Sequence, residues 1–317
     1  MVAYQLYLKG RFYKNKRTGE ALKTALGYFQ QAISRDPTYA LAYAGIADSY
    51  VLLPVYRALS AKEAFPKTKA AALRALQIDE QLAEAHTALA QTYFMFDWDH
   101  VSAEKSFHRA IEVNPNYATT HHRYGLGYLS LHARFDEATA EIKRALELDP
   151  LSLIINAHLG WTYSFARHYD PAIEQLQKTI EMDQNFYIAH YHLGVAYIFK
   201  GEISKGMEEL RQAWRLDDDP QILAALGYAY GISGNSEEAE QTLVQLDELS
   251  SKRVVSLYDF AIIYAGLGDK EKALGFLQWC LEQRAWSLVF LKVDPFWDNL
   301  RDDARFVELL KTVGLAS

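Results

Sequence analysis

Tyrosines stand at 13, 50, 93, 128, 163, 197, 230 and 264, separated by 37, 43, 35, 35, 34, 33 and 34 residues. A period of this length, sustained along a whole chain, is the mark of a stack of one supersecondary unit, because a single unit cannot bury its own apolar face. Other columns keep the same register. Three residues before each tyrosine sits Gly10, Ala47, Ala90, Gly125, Gly160, Gly194, Gly227 or Ala261. Downstream, a second helical stretch carries Ala25, Thr68, Ala103, Ala138, Ala172, Gly206, Ala239 and Ala273 at one position. Seven residues further on stand Ala32, Ala75, Ala110, Ala145, Thr179, Ala213, Leu246 and Cys280. Between the two columns lie Phe29, Phe107, Ile142, Leu176, Leu210, Leu243 and Leu277. Two small columns let two helices approach closely, while the bulky residue and the tyrosine fill the remaining gap.

This arrangement resembles the tetratricopeptide repeat, a 34-residue unit with a small residue, an aromatic, two alanines around a bulky residue and a closing proline. The resemblance covers essentially the whole chain. The proline is present as Pro37, Pro115 and Pro150 and replaced by Glu80, Gln184 and Asp218; the tryptophan usual early in the unit is Tyr43, His86, His121, Asn156, His190, Leu223 or Leu257. The resemblance implies an all-α fold. About eight antiparallel helix pairs across residues 3–285 would stack as an α-solenoid in a right-handed superhelix, followed by a capping segment at 286–317.

Local punctuation agrees with that frame. Asp170 before Pro171 predicts a cap and a first-turn proline. Asn235 with Glu238, and Ser60 with Glu63, have capping-box spacing. The second repeat is longer than the unit allows, near 51–67, where Pro54, Tyr56, Phe65 and Pro66 fall; the reading preferred over a lid is a longer second helix capped by Ser60 and kinked near Pro66. At the end, Phe306, Val307, Leu309, Leu310 and Val313 share one face of a predicted capping helix. The start has no such cap, which gives the expectation that the chain was cut from a longer protein.

Composition narrows the function classes. Half the residues are apolar and the net charge is -7, with a pI near 5.8, which argues against nucleic acid because phosphate contacts need a basic stripe. The start is locally basic, with Lys9, Arg11, Lys14, Lys16, Arg17 and Lys23 against Glu20 alone. No apolar run approaches a membrane span, so the region is expected to be soluble, without membrane insertion, and cytoplasmic in preference to periplasmic. With Cys280 alone, neither an internal disulfide nor a cysteine-rich zinc site can form.

The chemistry-bearing residues do not converge. His86, His121 and His190 share one repeat position, and His158 and His192 another, on neighbouring helices too far apart to share one metal without convergence. Asp97, Trp98 and Asp99 fall in a turn, where aspartates cap helices. There is no phosphate loop and no nucleophile elbow. The expectation is a protein without catalytic residues, metal or cofactor.

In tetratricopeptide proteins the first helix of each pair lines the concave surface. Carried over residue by residue, that surface holds Phe94, Met95, His122, Leu126, Leu129, Ile154, Trp161, Phe165, Ile188, Tyr191, Val195, Phe199, Tyr228, Ile232 and Tyr258, and a more polar start with Tyr4, Tyr7, Arg11, Lys14, Asp48 and Gln91. The resemblance implies a protein-protein interaction scaffold that binds an apolar peptide segment in the groove, with an acidic end of the partner toward Arg11 and Lys14. Burial of the stripe by the superhelix itself is the competing reading. The lysine and asparagine clamp for acidic chaperone tails is missing.

Residues 3–18 (AYQLYLKGRFYKNKRT), 39–50 (YALAYAGIADSY), 62–76 (KEAFPKTKAAALRAL), 149–161 (DPLSLIINAHLGW) and 291–310 (LKVDPFWDNLRDDARFVELL) resemble the C-terminal repeat regions of bacterial winged-helix transcriptional regulators and serine/threonine kinases. That implies a partner-sensing or docking module beside an N-terminal effector domain. The alternative is a peptide or small-ligand receptor controlling such a domain, which a closed pocket lined by Trp161, Tyr191 and Tyr228 would favour.

Overall fold

The computed structural model describes residues 1–316, and among these there are helices and turns but no strand. Eight helix pairs follow one another: α1 (Val2–Lys14) and α2 (Gly19–Arg35), α3 (Ala40–Val55) and α4 (Ala61–Ile78), α5 (Ala83–Thr92) and α6 (His100–Val113), α7 (Ala118–Tyr124) and α8 (Phe135–Leu148). The series continues with α9 (Leu153–Phe165) and α10 (Tyr169–Met182), α11 (Tyr187–Lys200) and α12 (Ile203–Leu216), α13 (Pro220–Ile232) and α14 (Ser236–Ser250), α15 (Leu257–Gly266) and α16 (Lys270–Glu282). Two 3₁₀ turns, Trp286–Phe290 and Pro295–Leu300, then lead to α17 (Ala304–Thr312).

The helices gather into two compact units, Met1–Arg123 and the residues from Tyr124 onward, divided within α7. In the first unit α1, α3 and α5 pack in series, and α2 and α4 each pack on the first helix of the next pair. The second unit repeats this scheme with α9, α11, α13 and α15 in series and α8, α10, α12 and α14 bridging them.

The small columns make this spacing possible. The two alanine-rich columns of the second helices are buried in every pair. A methyl group added at Gly160 would lie 2.5 Å from Cγ of Leu176, so the bulky column fills the space that the small column leaves. Phe29 shows the same logic within its pair and toward the next: Cβ atoms at Gly10 and Gly45 would fall 2.4 and 2.7 Å from its ring. The periodic tyrosines occupy the margin of each pair. Tyr128 is buried, and the other seven are half-buried. Tyr13 stacks on Tyr28 and Tyr264 on Phe276, each with centroids 5.4 Å apart. The ammonium groups of Lys69 and Lys272 lie 4.8 and 5.0 Å from the rings of Tyr93 and Tyr264.

Each turn inside a pair reverses through one left-handed residue: Arg17, Arg57, Trp98, Ala133, Arg167, Gly201, Gly234 and Gly268. Two of these turns follow π turns, Tyr93–Asp97 after α5 and Gly125–Leu129 after α7. In the lengthened second repeat, α3 runs through Pro54, and Ser60 accepts the Glu63 amide (3.3 Å) to start α4, which contains Pro66.

Several caps differ from the sequence expectation. Asn235 makes no side-chain cap to α14. The helix α10 begins at Tyr169, so Pro171 is its third residue, and Asp170 instead pairs with Lys200 at 2.8 Å. A full capping box joins Ser256 and Asp259. Asp99 accepts the Ser102 amide, whereas Asp97 pairs with Lys69. No described helix is long and apolar enough to cross a membrane.

Candidate functional site

The first unit carries a charged cluster. Asp48, on α3, is buried and receives ion pairs from Lys14 of α1 and Arg123 of α7. Burial alone would raise its carboxyl, but Arg123 and Lys14 outweigh burial and hold it well below the usual carboxylate range. The polar groups around it respond differently. Burial pushes the half-buried Glu84 carboxyl up, and burial raises the Tyr7 hydroxyl to about 12. His122 is buried and its ring is held down to about 3, by burial and then by Arg17 and Arg123, so it is neutral near pH 7. Arg11 is exposed, its guanidinium 5.9 Å from the Tyr7 ring. The Arg11 guanidinium also acts on the Glu84 carboxyl, lowering it against the larger effect of burial. Gln91 is buried and its Oε1 has no hydrogen-bond partner. Phe94 is fully buried edge-on to His100, with centroids 5.2 Å apart.

The second unit has an aromatic face on its first helices, and the residues expected to line a groove there are brought together. Trp161 and Phe165 come from α9, Tyr191 and Phe199 from α11, Tyr228 from α13 and Tyr258 from α15. This face is covered by the chain's own segment after α16. Phe290 stacks on Trp161 at 5.2 Å, and Phe296 meets Phe199 at 5.1 Å and Tyr228 at 4.8 Å. Trp297 packs edge-on to Tyr258 at 5.0 Å and donates its indole N–H to the Tyr258 hydroxyl at 2.7 Å. Leu126 is also buried in this unit.

Polar contacts fix the segment. Arg167 pairs with Asp298 at 2.7 Å, and the Asn299 side chain donates to the Ala265 carbonyl at 2.9 Å. Arg301 donates to the carbonyls of Lys292 and Asp294. Asp294 is buried and accepts the Phe296 amide, which starts the second 3₁₀ turn with Pro295 in its first position. Burial pushes its carboxyl up to about 7, against the lowering effect of the Phe296 amide, Arg167 and Arg301. His192 is buried against Trp161 at 4.4 Å, its ring held down to about 3 by burial.

The repeat register found the aromatic face but not its occupant. The signal available was the density of aromatics, Trp286, Phe290, Phe296 and Trp297, in a short stretch outside the repeat. Among the described residues no group of three or more His, Cys, Asp or Glu side chains is placed to hold a metal ion.

Residues 187–220 and 220–253 match the tetratricopeptide repeat model. Among solved structures, the chain is similar to a tetratricopeptide repeat protein from Parabacteroides merdae, 14% identical, with 79% of this chain and 93% of that one covered and a TM-score of 0.53. It is also similar to PilW, a type IV pilus biogenesis factor, at 18% identity, 64% and 93% coverage and a TM-score of 0.51. At these identities the likeness is one of fold. No curated protein matches the chain.

Proposed function

We propose that this array of tetratricopeptide-type helix pairs is a protein-interaction scaffold whose docking face lies on the first unit, the aromatic face of the second being committed to its own chain. The observation that carries this reading is the seating of Phe290, Phe296 and Trp297 on Trp161, Phe199, Tyr228 and Tyr258. The seated segment is buried along its length. Leu288, Val289, Phe290, Leu291, Phe296, Trp297 and Leu300 are all buried. At about 1.5–3 kcal/mol each, as an upper estimate, the segment holds roughly 10–20 kcal/mol of burial.

The partner segment is read as acidic where it meets α1. Arg11, Lys14, Arg17 and Arg123 outnumber Asp48 and Glu84 there, and Lys14 is already engaged with Asp48. The wider role, as the docking module of a larger bacterial regulator with an N-terminal effector domain, rests on the resemblance of the segments quoted above.

The test is fluorescence anisotropy with a labelled glutamate-rich peptide and its lysine counterpart. Saturable binding of the acidic peptide alone is expected, weakened roughly tenfold by Arg11→Glu together with Arg17→Glu, since each surface charge contributes up to about 1 kcal/mol. Lys14 is left in place because a glutamate there would set two carboxylates side by side. Equal binding of the two peptides, or no effect of the reversal, rejects the reading.

A further inference from the structure

One buried carboxyl seats the second 3₁₀ turn of the C-terminal segment, Pro295–Leu300. Asp294 is 8% exposed, and its Oδ1 accepts the Phe296 amide at 3.2 Å, which starts the turn that lays Phe296 on Tyr228 and Trp297 on Tyr258. Its Oδ2 has only the Tyr258 hydroxyl, which donates over a long 3.5 Å and itself accepts the indole N–H of Trp297. No cation among the described residues pairs with Asp294, whereas the likewise buried Asp48 is held by Lys14 and Arg123. The cations nearby are engaged elsewhere. Arg167, in the turn between α9 and α10, gives Nη2 to Asp298 at 2.7 Å, while its Nη1 is buried without a hydrogen-bond partner. Arg301 donates to Asp298 and to the carbonyls of Lys292 and Asp294. The other titratable groups acting with Asp294 are the Tyr169 and Tyr228 hydroxyls, from α10 and α13, and Asp298 on its own turn. The seated turn therefore suits the neutral form of this carboxyl and not the charged one.

We infer that this turn is a proton-coupled latch on the aromatic face: it opens locally, with the helices α9 to α16 still folded, and releases the Asp294 proton as it opens. Opening lets the carboxyl ionise in water, withdraws the cap from the Phe296 amide and uncovers Phe199, Tyr228 and Tyr258. The chain on either side stays fastened. Arg284, left-handed at φ 50, turns the backbone just after α16, and beyond the latch Arg305 of α17 grips both oxygens of Glu271 on α16 at 2.7 and 2.8 Å. The apolar contacts of the turn are opposed by the entropy of ordering it, so a change in the charge of one buried group moves the balance. The direction follows from the two forms. Burial pushes the closed-state carboxyl up to about 7, whereas a solvated aspartate titrates near 3.9. Between those values the closed turn holds a proton that the open turn has lost, so each pH unit favours opening about tenfold; above 7 both are ionised and the gain stops. The aromatic face is thus latched in acid and most readily uncovered at neutral and alkaline pH.

Hydrogen exchange of the full chain between pH 5 and 9, corrected for the chemical exchange rate at each pH, tests the latch. The amides of Phe296, Trp297 and Leu300 should lose about a hundredfold in protection from pH 5 to 7 and level off above it. At every pH they should remain at least roughly tenfold less protected than the innermost amides of α10 and α12, which marks the opening as local. Asp294→Asn should flatten the profile. Arg167→Gln should move the levelling-off to higher pH and Asp298→Asn to lower pH, because the two charges act on the Asp294 carboxyl in opposite senses; a turn held by packing alone would show neither shift. Protection of the turn that does not change with pH, a pH dependence that survives in Asp294→Asn, or exchange of the turn in step with α10 and α12 overturns the proposal, the last because opening would then be unfolding of the whole unit.

Discussion

Trp297→Ala isolates the contribution of the internal segment. The indole is fully buried, packs on Tyr258 at 5.0 Å and on Phe306 at 6.4 Å, and donates to the Tyr258 hydroxyl at 2.7 Å. Truncation removes most of the side chain's burial, leaves a cavity among rigid helices and deprives the Tyr258 hydroxyl of its donor. Large-to-small changes of this kind cost about 3–5 kcal/mol, and the lost hydrogen bond places the expected value near 4 kcal/mol. Urea denaturation measures the change. Hydrogen exchange localises it, with faster exchange expected along α9, α11, α13 and α15 and little change in α1 to α4. Trp279→Ala is the control, since that side chain is 52% exposed and its loss should cost only about 0.5–1 kcal/mol. A Trp297→Ala penalty no larger than the control's, with protection of the four first helices unchanged, would mean that the segment does not hold these helices together.

Three further outcomes are expected. Asp294, raised to about 7, penalises folding above that pH and releases the penalty as pH falls through 7 toward the unfolded value of about 3.9, so stability should rise between about pH 8 and 5. Asp294→Asn keeps an acceptor for the Phe296 amide, and the difference between the two chains, up to about 4 kcal/mol at high pH, should vanish in acid; parallel pH curves contradict this. Gly160→Ala should destabilise by about 1–2 kcal/mol against Leu176, whereas Gly275→Ala, with nothing within 4 Å in α16, should stabilise by about 0.5–1 kcal/mol; thermal melts with the same sign for both would be inconsistent with the packing described. Asp48→Ala leaves Lys14 and Arg123 facing each other without a counter-ion and should cost about 3–5 kcal/mol in chemical denaturation; a neutral result would mean that the cluster is solvated.

The pairs were legible because packing imposes a small residue wherever two helices approach, as at Gly160 against Leu176, and that requirement recurs with the period of the unit. The turns were not. Five of the eight left-handed positions carry Arg17, Arg57, Trp98, Ala133 and Arg167 in place of glycine, so the strongest local signal for a reversal is missing from them. Asn235 and Asp170 have capping chemistry but not the geometry, which depends on where the preceding turn delivers the chain. The register of Trp161, Tyr191 and Tyr228 indicated the face they share. It could not say what lies on that face, because Phe290 and Phe296 belong to an aperiodic stretch whose path is set by tertiary packing. The pairing of Asp48 with Arg123 is non-local in the same way, joining α3 to α7.

The aromatic face of the second unit is filled by the chain's own C-terminal segment. Nuclear Overhauser contacts in the full chain, with phenylalanine and tyrosine rings selectively labelled and Phe296→Leu used for assignment, test it directly. Cross-peaks are expected from the Phe296 ring to Tyr228 and Phe199, whose centroids lie 4.8 and 5.1 Å away. A Phe296 ring with the shifts and relaxation of a solvent-exposed side chain, and no cross-peak to either partner, would contradict it.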